Sequence, residues 1–183
     1  MKRVLVLVAP GFEEIETITV IDILRRANIE VVSAGIEPGE LTGSRKIKIV
    51  PDVQLSKVVN DENFDMIVLP GGMPGTTNLK KDENVKKLIQ RMYNQGKYTS
   101  AICAAPTVLS AIGLTTGKKI TSHPSVKSEL QNELYKEDRV VVDGQIITSR
   151  SPGTAMEFAM KLVEILVGKE IVEEINKGVM ARL

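Results

Sequence analysis

Short apolar runs alternate with amphipathic stretches along this chain. Val4–Val8 is uninterrupted apolar sequence that ends at Pro10-Gly11, which is typical of a strand buried on both faces. Glu14–Ala27 carries isoleucine and leucine at helical spacing. Glu30–Ala34 has the pattern of a second strand, which is closed by Gly35. The chain therefore begins as strand, helix and strand.

The alternation continues through the rest of the chain. Ile47 and Ile49 alternate with lysines and indicate a short edge strand or hairpin. Thr154 and Glu157 have the spacing of a capping box, and they would open a helix whose apolar stripe reaches Leu166. The other predicted elements are strands over Met66–Leu69, Thr99–Ile102, Lys119–Ser122, Val140–Val142 and Ile146–Ser149, with the turn pair Asp143-Gly144 between the last two, and helices over 83–94, Ala104–Ile112 and Ile171–Lys177.

Strands that alternate with helices predict an α/β fold with a mostly parallel sheet covered on both faces. The chain has 183 residues and neither a repeat nor a linker, so we expect one domain over residues 1–183. In such sheets, ligands bind beyond the carboxyl ends of the strands. The candidates that follow predicted strands are Glu13–Glu16, Gly71-Gly72, Cys103, His123 and Arg150.

Composition narrows the classes of function. Aromatic residues make up 3% of the chain and the formal net charge is +1, so nucleic acids and membrane surfaces are not expected partners. One histidine and one cysteine cannot build a zinc site without two carboxylates, and no phosphate-binding glycine motif is present. We therefore expect no metal and no cofactor. The single cysteine and the short first apolar run favour a reducing, cytoplasmic setting.

Cys103 lies where a predicted strand meets a predicted helix. The small residues of Ala104-Ala105-Pro106 suit a sharp turn that presents a side chain, and a helix N-terminus would lower the thiol pKa. A buried structural cysteine explains the same position equally well. Position alone leaves both interpretations open.

Five other residues have a chemical and an ordinary explanation. Glu16 is either a charge favoured by the helix dipole or a general acid–base group beside the thiol. Gly72 could direct its N–H at an oxyanion or belong to a simple turn. His123 could be a base or an incidental loop residue. Arg45 and Arg150 could bind an anionic substrate group or be merely solvated.

Several of these residues belong to motifs that occur in the order seen in the ThiJ/PfpI superfamily. The motifs are Glu13-Glu14-Ile15-Glu16, Leu69-Pro70-Gly71-Gly72, Ala101–Pro106, Thr121–Pro124 and Thr148–Thr154. Over essentially its whole length the chain resembles the branch of the parkinsonism-associated protein deglycase and its bacterial relatives. The resemblance implies a flavodoxin-like three-layer sandwich, usually assembled as a homodimer.

The resemblance also implies roles for site residues. The reactive cysteine of the family falls on Cys103, and its protonated carboxylic partner falls on Glu16. The backbone donor of the oxyanion site falls on Gly72, with Ala104 beside the cysteine in the same site. The nearby histidine falls on His123.

Arg45 and Arg150 match arginines that line the pocket in relatives. Members are described as glutathione-independent glyoxalases, deglycases of proteins or nucleotides, chaperones and oxidative-stress sensors. We therefore expect a cofactor-independent enzyme whose cysteine acts on 2-oxoaldehydes such as methylglyoxal or on their glycation adducts, with nucleic acid only as a glycated substrate. The alternative is an oxidisable sensor or chaperone. A cysteine peptidase is a weaker alternative, because Ala104 stands where the protease-like branches have histidine.

Overall fold

The computed structural model describes residues 1–181 of the chain. The strands are β1 (Arg3–Val8), β2 (Glu30–Gly35), β3 (Leu41–Thr42), β4 (Lys48–Ile49), β5 (Val53–Gln54), β6 (Met66–Leu69), β7 (Tyr98–Ile102), β8 (Lys119–Ile120), β9 (Leu134–Tyr135), β10 (Val140–Asp143) and β11 (Ile146–Ser149). The α-helices are α1 (Glu14–Arg26), α2 (Leu55–Val58), α3 (Gly75–Lys81), α4 (Glu83–Asn94), α5 (Pro106–Ala111), α6 (Ala155–Val167) and α7 (Lys169–Val179). Pro124–Glu129 and Pro152–Thr154 are 3₁₀ helices. Within residues 1–181, no helix is both long and apolar enough to cross a membrane.

A seven-stranded sheet forms the centre of the molecule, with the strand order β10-β11-β7-β6-β1-β2-β5. All neighbouring strands are parallel except β10, which pairs with β11 as an antiparallel hairpin. The hairpin agrees with the sequence prediction, although Asp143 pairs with Ile146 and the loop is therefore Gly144-Gln145.

Alternate residues of the central strands face two separate apolar cores. Leu5 and Leu7 pack with residues of α2 to α5 on one face of the sheet. Val4 and Val6 pack with residues of α1, α6 and α7 on the other face. All four side chains are fully buried, as expected of a strand covered on both sides. The predicted α/β three-layer sandwich with a mostly parallel sheet is thus confirmed.

The parallel strands end together at one edge of the sheet. In the register, Leu69 at the end of β6 lies beside Ala101 of β7, and Ile102 lies beside Ser149 of β11. The segments that leave β1, β6, β7 and β11 therefore meet at this carboxyl edge, where ligands bind in folds of this kind.

Two predicted elements are shorter in the structure. The helix expected over Ala104–Ile112 begins only at Pro106, because the residues between Ile102 and Pro106 form a tight turn. The strand expected over Lys119–Ser122 ends at Ile120, since its partner strand β9 is only two residues long.

The capping box predicted for Thr154 and Glu157 is wrong. Thr154 instead closes a capping box with Ser151 around the 3₁₀ helix, and its hydroxyl also bonds Ser149 at 2.7 Å. Glu157 pairs with Arg139. Helix α3 was not predicted, because its residues follow a Gly- and Pro-rich turn and carry little apolar periodicity.

Candidate active site

A cleft of about 290 Å³ opens at the carboxyl edge of the sheet. Its walls come from the segments that follow β1, β3, β6, β7, β8 and β11. The lining residues are Glu13, Ser44, Arg45, Gly72, Met73, Cys103, Ala104, His123, Ser125 and Pro152. Of the residues predicted for the site, Cys103, Gly72, Ala104, His123 and Arg45 lie on this cleft.

The backbone holds Cys103 in a sharp elbow. Its φ of 65° lies in the left-handed region, which non-glycine residues rarely adopt. The Cys103 N–H donates to the carbonyl of Ser149 at 3.0 Å, and the Cys103 carbonyl accepts from the His123 N–H at 2.8 Å. These two bonds tie the elbow to the neighbouring strand ends, and the thiol is left on the wall of the cleft. The surrounding structure therefore stabilises a strained conformation at this one residue.

Gly71 and Gly72 bring a second backbone turn against the elbow. A Cβ at Gly71 would lie 2.6 Å from Cβ of Cys103 and 2.7 Å from Oε2 of Glu16, so only glycine fits between them. Gly72 has a φ of 92°, and a Cβ there would meet the backbone that leads into α1. The two glycines thus permit the close approach of the Cys103 and Glu16 side chains.

Glu16 is a buried carboxyl with few donors. Its Oε2 accepts from the Gly71 N–H at 2.8 Å. Its Oε1 is buried and has no hydrogen-bond partner in the described part of the chain. Burial raises the pKa of Glu16 to about 7, and hydrogen bonds from Gly71 and from the Cys103 thiol only partly oppose the rise. The carboxyl can therefore gain or lose a proton near neutral pH.

The pKa of the Cys103 thiol is raised to about 12, first by burial and then by the negative charge of Glu16. The backbone N–H groups of Ala104 and Gly72 donate to the sulfur and act in the opposite direction. The prediction of a lowered thiol pKa is thus wrong, because burial alone already opposes ionisation of the sulfur. The six-residue helix α5 is too short, and the carboxylate too close, for the helix dipole to decide the balance.

The two acids form one titrating unit. Glu16 and Cys103 are hydrogen-bond partners, and the negative charge of Glu16 opposes ionisation of the thiol. Near pH 7 the pair loses one proton, and the second proton is held far more tightly. A thiolate forms at neutral pH when the remaining proton moves from sulfur to Glu16. The Gly72 and Ala104 N–H groups favour that arrangement, because they donate to the sulfur.

His123 lines the same cleft but bonds away from the cysteine. Its Nδ1 lies 2.7 Å from Oγ of Ser125 and accepts the Ser125 backbone N–H at 3.2 Å. Across residues 1–181, no hydrogen bond joins the imidazole to Cys103. A cysteine–histidine pair of the peptidase type is therefore not formed.

Arg45 and Ser44 line the cleft from the loop that follows β3, and the Glu14 carboxylate holds this loop in place. The Glu14 carboxylate accepts from the Arg45 N–H at 2.6 Å, from the Ile47 N–H at 3.3 Å and from the Ser44 hydroxyl at 3.2 Å. By contrast, the structure does not bring Arg150 onto the cleft, because its guanidinium donates to the carbonyl of Glu137 at 2.6 Å.

Several residues of the site carry no clear signal in the sequence. Glu14 looks like the two other acids of Glu13–Glu16, although its carboxylate is the one that binds the loop with Ser44 and Arg45. Ser125 follows His123 by two residues, and that spacing is the signal that could have identified it as a side-chain partner. Met73, adjacent to Gly72, also lines the cleft.

The chain is similar to known proteins in sequence and in fold. The chain is 47% identical over 182 residues to the protein dj-1beta of Drosophila melanogaster. This match covers 98% of this chain and 97% of the Drosophila protein. The crystal structure of Drosophila melanogaster DJ-1beta superimposes with a TM-score of 0.95, again covering 98% of this chain and 97% of that chain.

Two further relatives are a protein named as a glyoxalase and a DJ-1 structure described as oxidised. The chain is 40% identical over 172 residues to the glutathione-independent glyoxalase DJR-1.2 of Caenorhabditis elegans, covering 92% of this chain and 91% of that one. Oxidised DJ-1 of Toxoplasma gondii superimposes with a TM-score of 0.95 at 38% identity and covers 98% of both chains. The model of the DJ-1/PfpI family matches residues 2–165, and the chain therefore belongs to the DJ-1/PfpI family.

Proposed function

We propose that this protein converts 2-oxoaldehydes such as methylglyoxal to 2-hydroxy acids without glutathione, with Cys103 as the nucleophile. The observation that carries the proposal is the pair formed by the Cys103 thiol and the Glu16 carboxyl, whose pKa is raised to about 7. A nucleophile beside an acid–base group that exchanges protons near neutral pH is suited to carbonyl addition followed by proton transfer.

The reaction begins with addition to the aldehyde. Glu16 takes the thiol proton, the Cys103 sulfur bonds to the aldehyde carbon, and the former carbonyl oxygen takes up the proton, which gives a hemithioacetal. Gly72 and Ala104 N–H groups stabilise the negative charge on sulfur before the addition and on the neighbouring oxygen after it.

Glu16 then moves a proton within the adduct. It removes the hydrogen bound to the former aldehyde carbon as a proton and passes it to the neighbouring ketone oxygen, which gives an enediol. Glu16 then takes the proton of the hydroxyl next to the sulfur and returns a proton to the adjacent carbon, which gives a thioester of the 2-hydroxy acid. Water hydrolyses the thioester, which releases the 2-hydroxy acid and restores the thiol. For methylglyoxal the net reaction consumes one water and yields lactate, with no external oxidant or reductant.

A deglycase activity would use the same pair on early glycation adducts of protein side chains. The cleft is open enough for a side chain that carries a small carbonyl adduct, since Arg45, His123 and Ser125 stand at its partly exposed walls. The name of the Caenorhabditis elegans relative, a glutathione-independent glyoxalase, supports the first of the two activities.

Lactate formation from methylglyoxal without glutathione tests the proposal. We expect Cys103→Ser to lose turnover, because a serine hydroxyl is a far weaker nucleophile at neutral pH than a thiol assisted by Glu16. Circular dichroism and thermal unfolding of the variant control for folding. Undiminished turnover in Cys103→Ser would exclude the cysteine mechanism.

A redox sensor is a second candidate, favoured by the vacant hydrogen-bonding capacity of Glu16. Its Oε1 is buried and without a partner in residues 1–181, and as a protonated group it could donate to an oxygen added to the sulfur. Peroxide would supply that oxygen and leave as water, giving a sulfenic and then a sulfinic acid. Intact mass after mild peroxide treatment tests this. Selective oxygen addition that is lost in Glu16→Leu is expected, because leucine has no group to donate, and no addition at Cys103 would exclude the sensor.

We also propose that the chain works as a homodimer. Helix α1 leaves Ile15 56% exposed and Ile18 45% exposed, and both flank the buried Glu16. Two copies that bury these side chains would cover the helix that carries the acid. Sedimentation equilibrium tests the assembly. We expect a dimer that Ile18→Lys dissociates, whereas a monomeric wild type would exclude it.

A further inference from the structure

We propose that Ser125 fixes the tautomer of His123, so that the imidazole presents its Nε2–H to the cleft as a hydrogen-bond donor to substrate. The proposal rests on the carbonyl chemistry proposed above and assigns a further role at the same site. It makes Ser125 a positioning residue, which acts through His123 and does not itself touch the reacting atoms.

The tautomer follows from the partners of Nδ1. The Ser125 backbone N–H, 3.2 Å from Nδ1 of His123, can only donate. Nδ1 must therefore be the unprotonated nitrogen of the neutral ring, and the proton lies on Nε2. Oγ of Ser125 lies 2.7 Å from Nδ1 and can donate to the same lone pair. Both groups of Ser125 thus favour one tautomer over the other.

The position of the ring follows from the backbone of the elbow. The His123 N–H donates to the Cys103 carbonyl at 2.8 Å, so the histidine is tied to the residue that carries the nucleophile. The side chain lines the cleft together with Cys103 and Ala104. Nε2 has no hydrogen-bond partner among residues 1–181, and its proton is therefore free to meet a ligand.

This arrangement separates two chemical roles. An Nε2 that already carries the proton cannot remove another from the substrate, so His123 in this tautomer is a donor and not a base. The proton transfers then belong to Glu16, whose pKa is raised to about 7. A donor in the cleft would stabilise the oxygen that becomes negative when the thiolate adds to the carbonyl.

The same contacts could serve only the local fold. His123 is the N-cap of the 3₁₀ helix Pro124–Glu129, and the bond from the Ser125 N–H is the capping bond. Two substitutions of His123 separate its role as an N-cap from its role as a hydrogen-bond donor to substrate. Asparagine is a favoured N-cap whose short amide can accept the Ser125 N–H but cannot reach as far as Nε2. Glutamine places an amide N–H near the Nε2 position and caps poorly.

The chain has one histidine, so its ring nitrogens can be read without assignment ambiguity. We would record long-range ¹H–¹⁵N spectra of ¹⁵N-labelled protein at about pH 8. We expect an unprotonated shift at Nδ1 and a protonated shift at Nε2, with a weaker preference in Ser125→Ala. The opposite tautomer, or equal populations in the wild type, would overturn the proposal whether or not the protein is a glyoxalase.

Steady-state lactate formation provides the second readout. We expect His123→Asn to lower kcat/KM on the order of tenfold to a hundredfold, and His123→Gln to retain most of it. Thermal unfolding should show the reverse order, with the asparagine variant the more stable of the two. If His123→Asn kept its kcat/KM while His123→Gln lost it, the histidine would matter only as a helix cap. That result would overturn the donor role.

Discussion

Glu14 and Glu16 lie in the same first turn of α1 and are both buried, yet their pKa values move in opposite directions. Burial raises the pKa of both. For Glu14, donors from its own backbone and from the loop with Ser44, Arg45 and Ile47 outweigh burial, and the pKa falls below its ordinary value. For Glu16, the bonds from Gly71 and Cys103 are too few, and the pKa rises to about 7.

The difference shows what separates a structural anion from an acid–base group. A carboxylate with a full set of donors stays ionised and holds the segment that supplies them. A carboxyl with one vacant oxygen and a thiol beside it exchanges its proton near neutral pH. The first turn of α1 therefore supplies Glu14, which holds the loop with Arg45, and Glu16, which moves protons in the candidate reaction.

Glu16→Gln should have the largest effect, and it should be on turnover. Glutamine keeps the size and the acceptor for the Gly71 N–H but cannot take the thiol proton. We expect kcat for lactate formation without glutathione to fall on the order of a hundredfold to ten-thousandfold. Glu14→Gln is the matched control: we expect its KM to rise and its kcat to stay within about threefold. Equal losses of kcat in both variants would remove the distinction between the two acids.

The sequence pointed to Glu16 as a site residue, but it gave no sign of the role of Glu14. Cys103, Glu16 and Gly72 could be grouped because they follow parallel strands that end at one edge of the sheet, and the motif resemblance pointed to the same set. Glu14 could not be distinguished from its neighbours. Its donors come from about thirty residues further along the chain, and no local pattern records that contact.

The pKa of the Cys103 thiol could not be predicted from the sequence either. The helix N-terminus expected to lower the thiol pKa is visible as a motif, but the burial and the facing carboxylate that raise it depend on tertiary packing. Arg150 shows the same limit, since its motif matched while its guanidinium bonds the Glu137 carbonyl outside the cleft. Apolar periodicity predicted the sheet and most of the helices. It did not predict α3, whose turn-like residues carry little of it.

The pH dependence of stability should distinguish the two acids next. The pKa of Glu16 is raised from 4.5 to about 7, so the folded protein binds this proton more tightly than the unfolded chain. That stabilisation is fully present below pH 4.5 and is lost as pH rises through about 7. Glu16→Gln lacks it. Its stability relative to the wild type should therefore improve by up to about 3 kcal/mol across that interval. Urea unfolding at a series of pH values measures this, and a constant difference would contradict it.

Glu14→Gln should behave in the opposite sense. The lowered pKa of Glu14 contributes stability that is present above the ordinary carboxyl pKa and is lost as pH falls through the lowered value. At neutral pH we expect the variant to lose about 1–2 kcal/mol, because amide acceptors replace charge-assisted bonds to Arg45 and Ser44. The loss should shrink in acid in the same urea series. A loss that grows in acid would mean that the carboxylate does not hold the loop.

Gly43→Ala should have the smallest effect and should act through the same carboxylate. An added Cβ would lie 2.5 Å from Cδ of Glu14, so the carboxylate must shift and weaken its bonds to the loop. Because the end of a flexible side chain can move, we expect a cost of about 1 kcal/mol in urea unfolding, below that of Glu14→Gln.

The double variant with Glu14→Gln tests whether the alanine acts through this carboxylate. Glutamine is not bound by the same charge-assisted bonds and can move aside more easily. The double variant should therefore cost less than the sum of the two single changes. If the losses of unfolding free energy were strictly additive, the alanine would disturb the loop without involving Glu14. That result would contradict the conclusion that the Glu14 carboxylate holds the loop with Arg45.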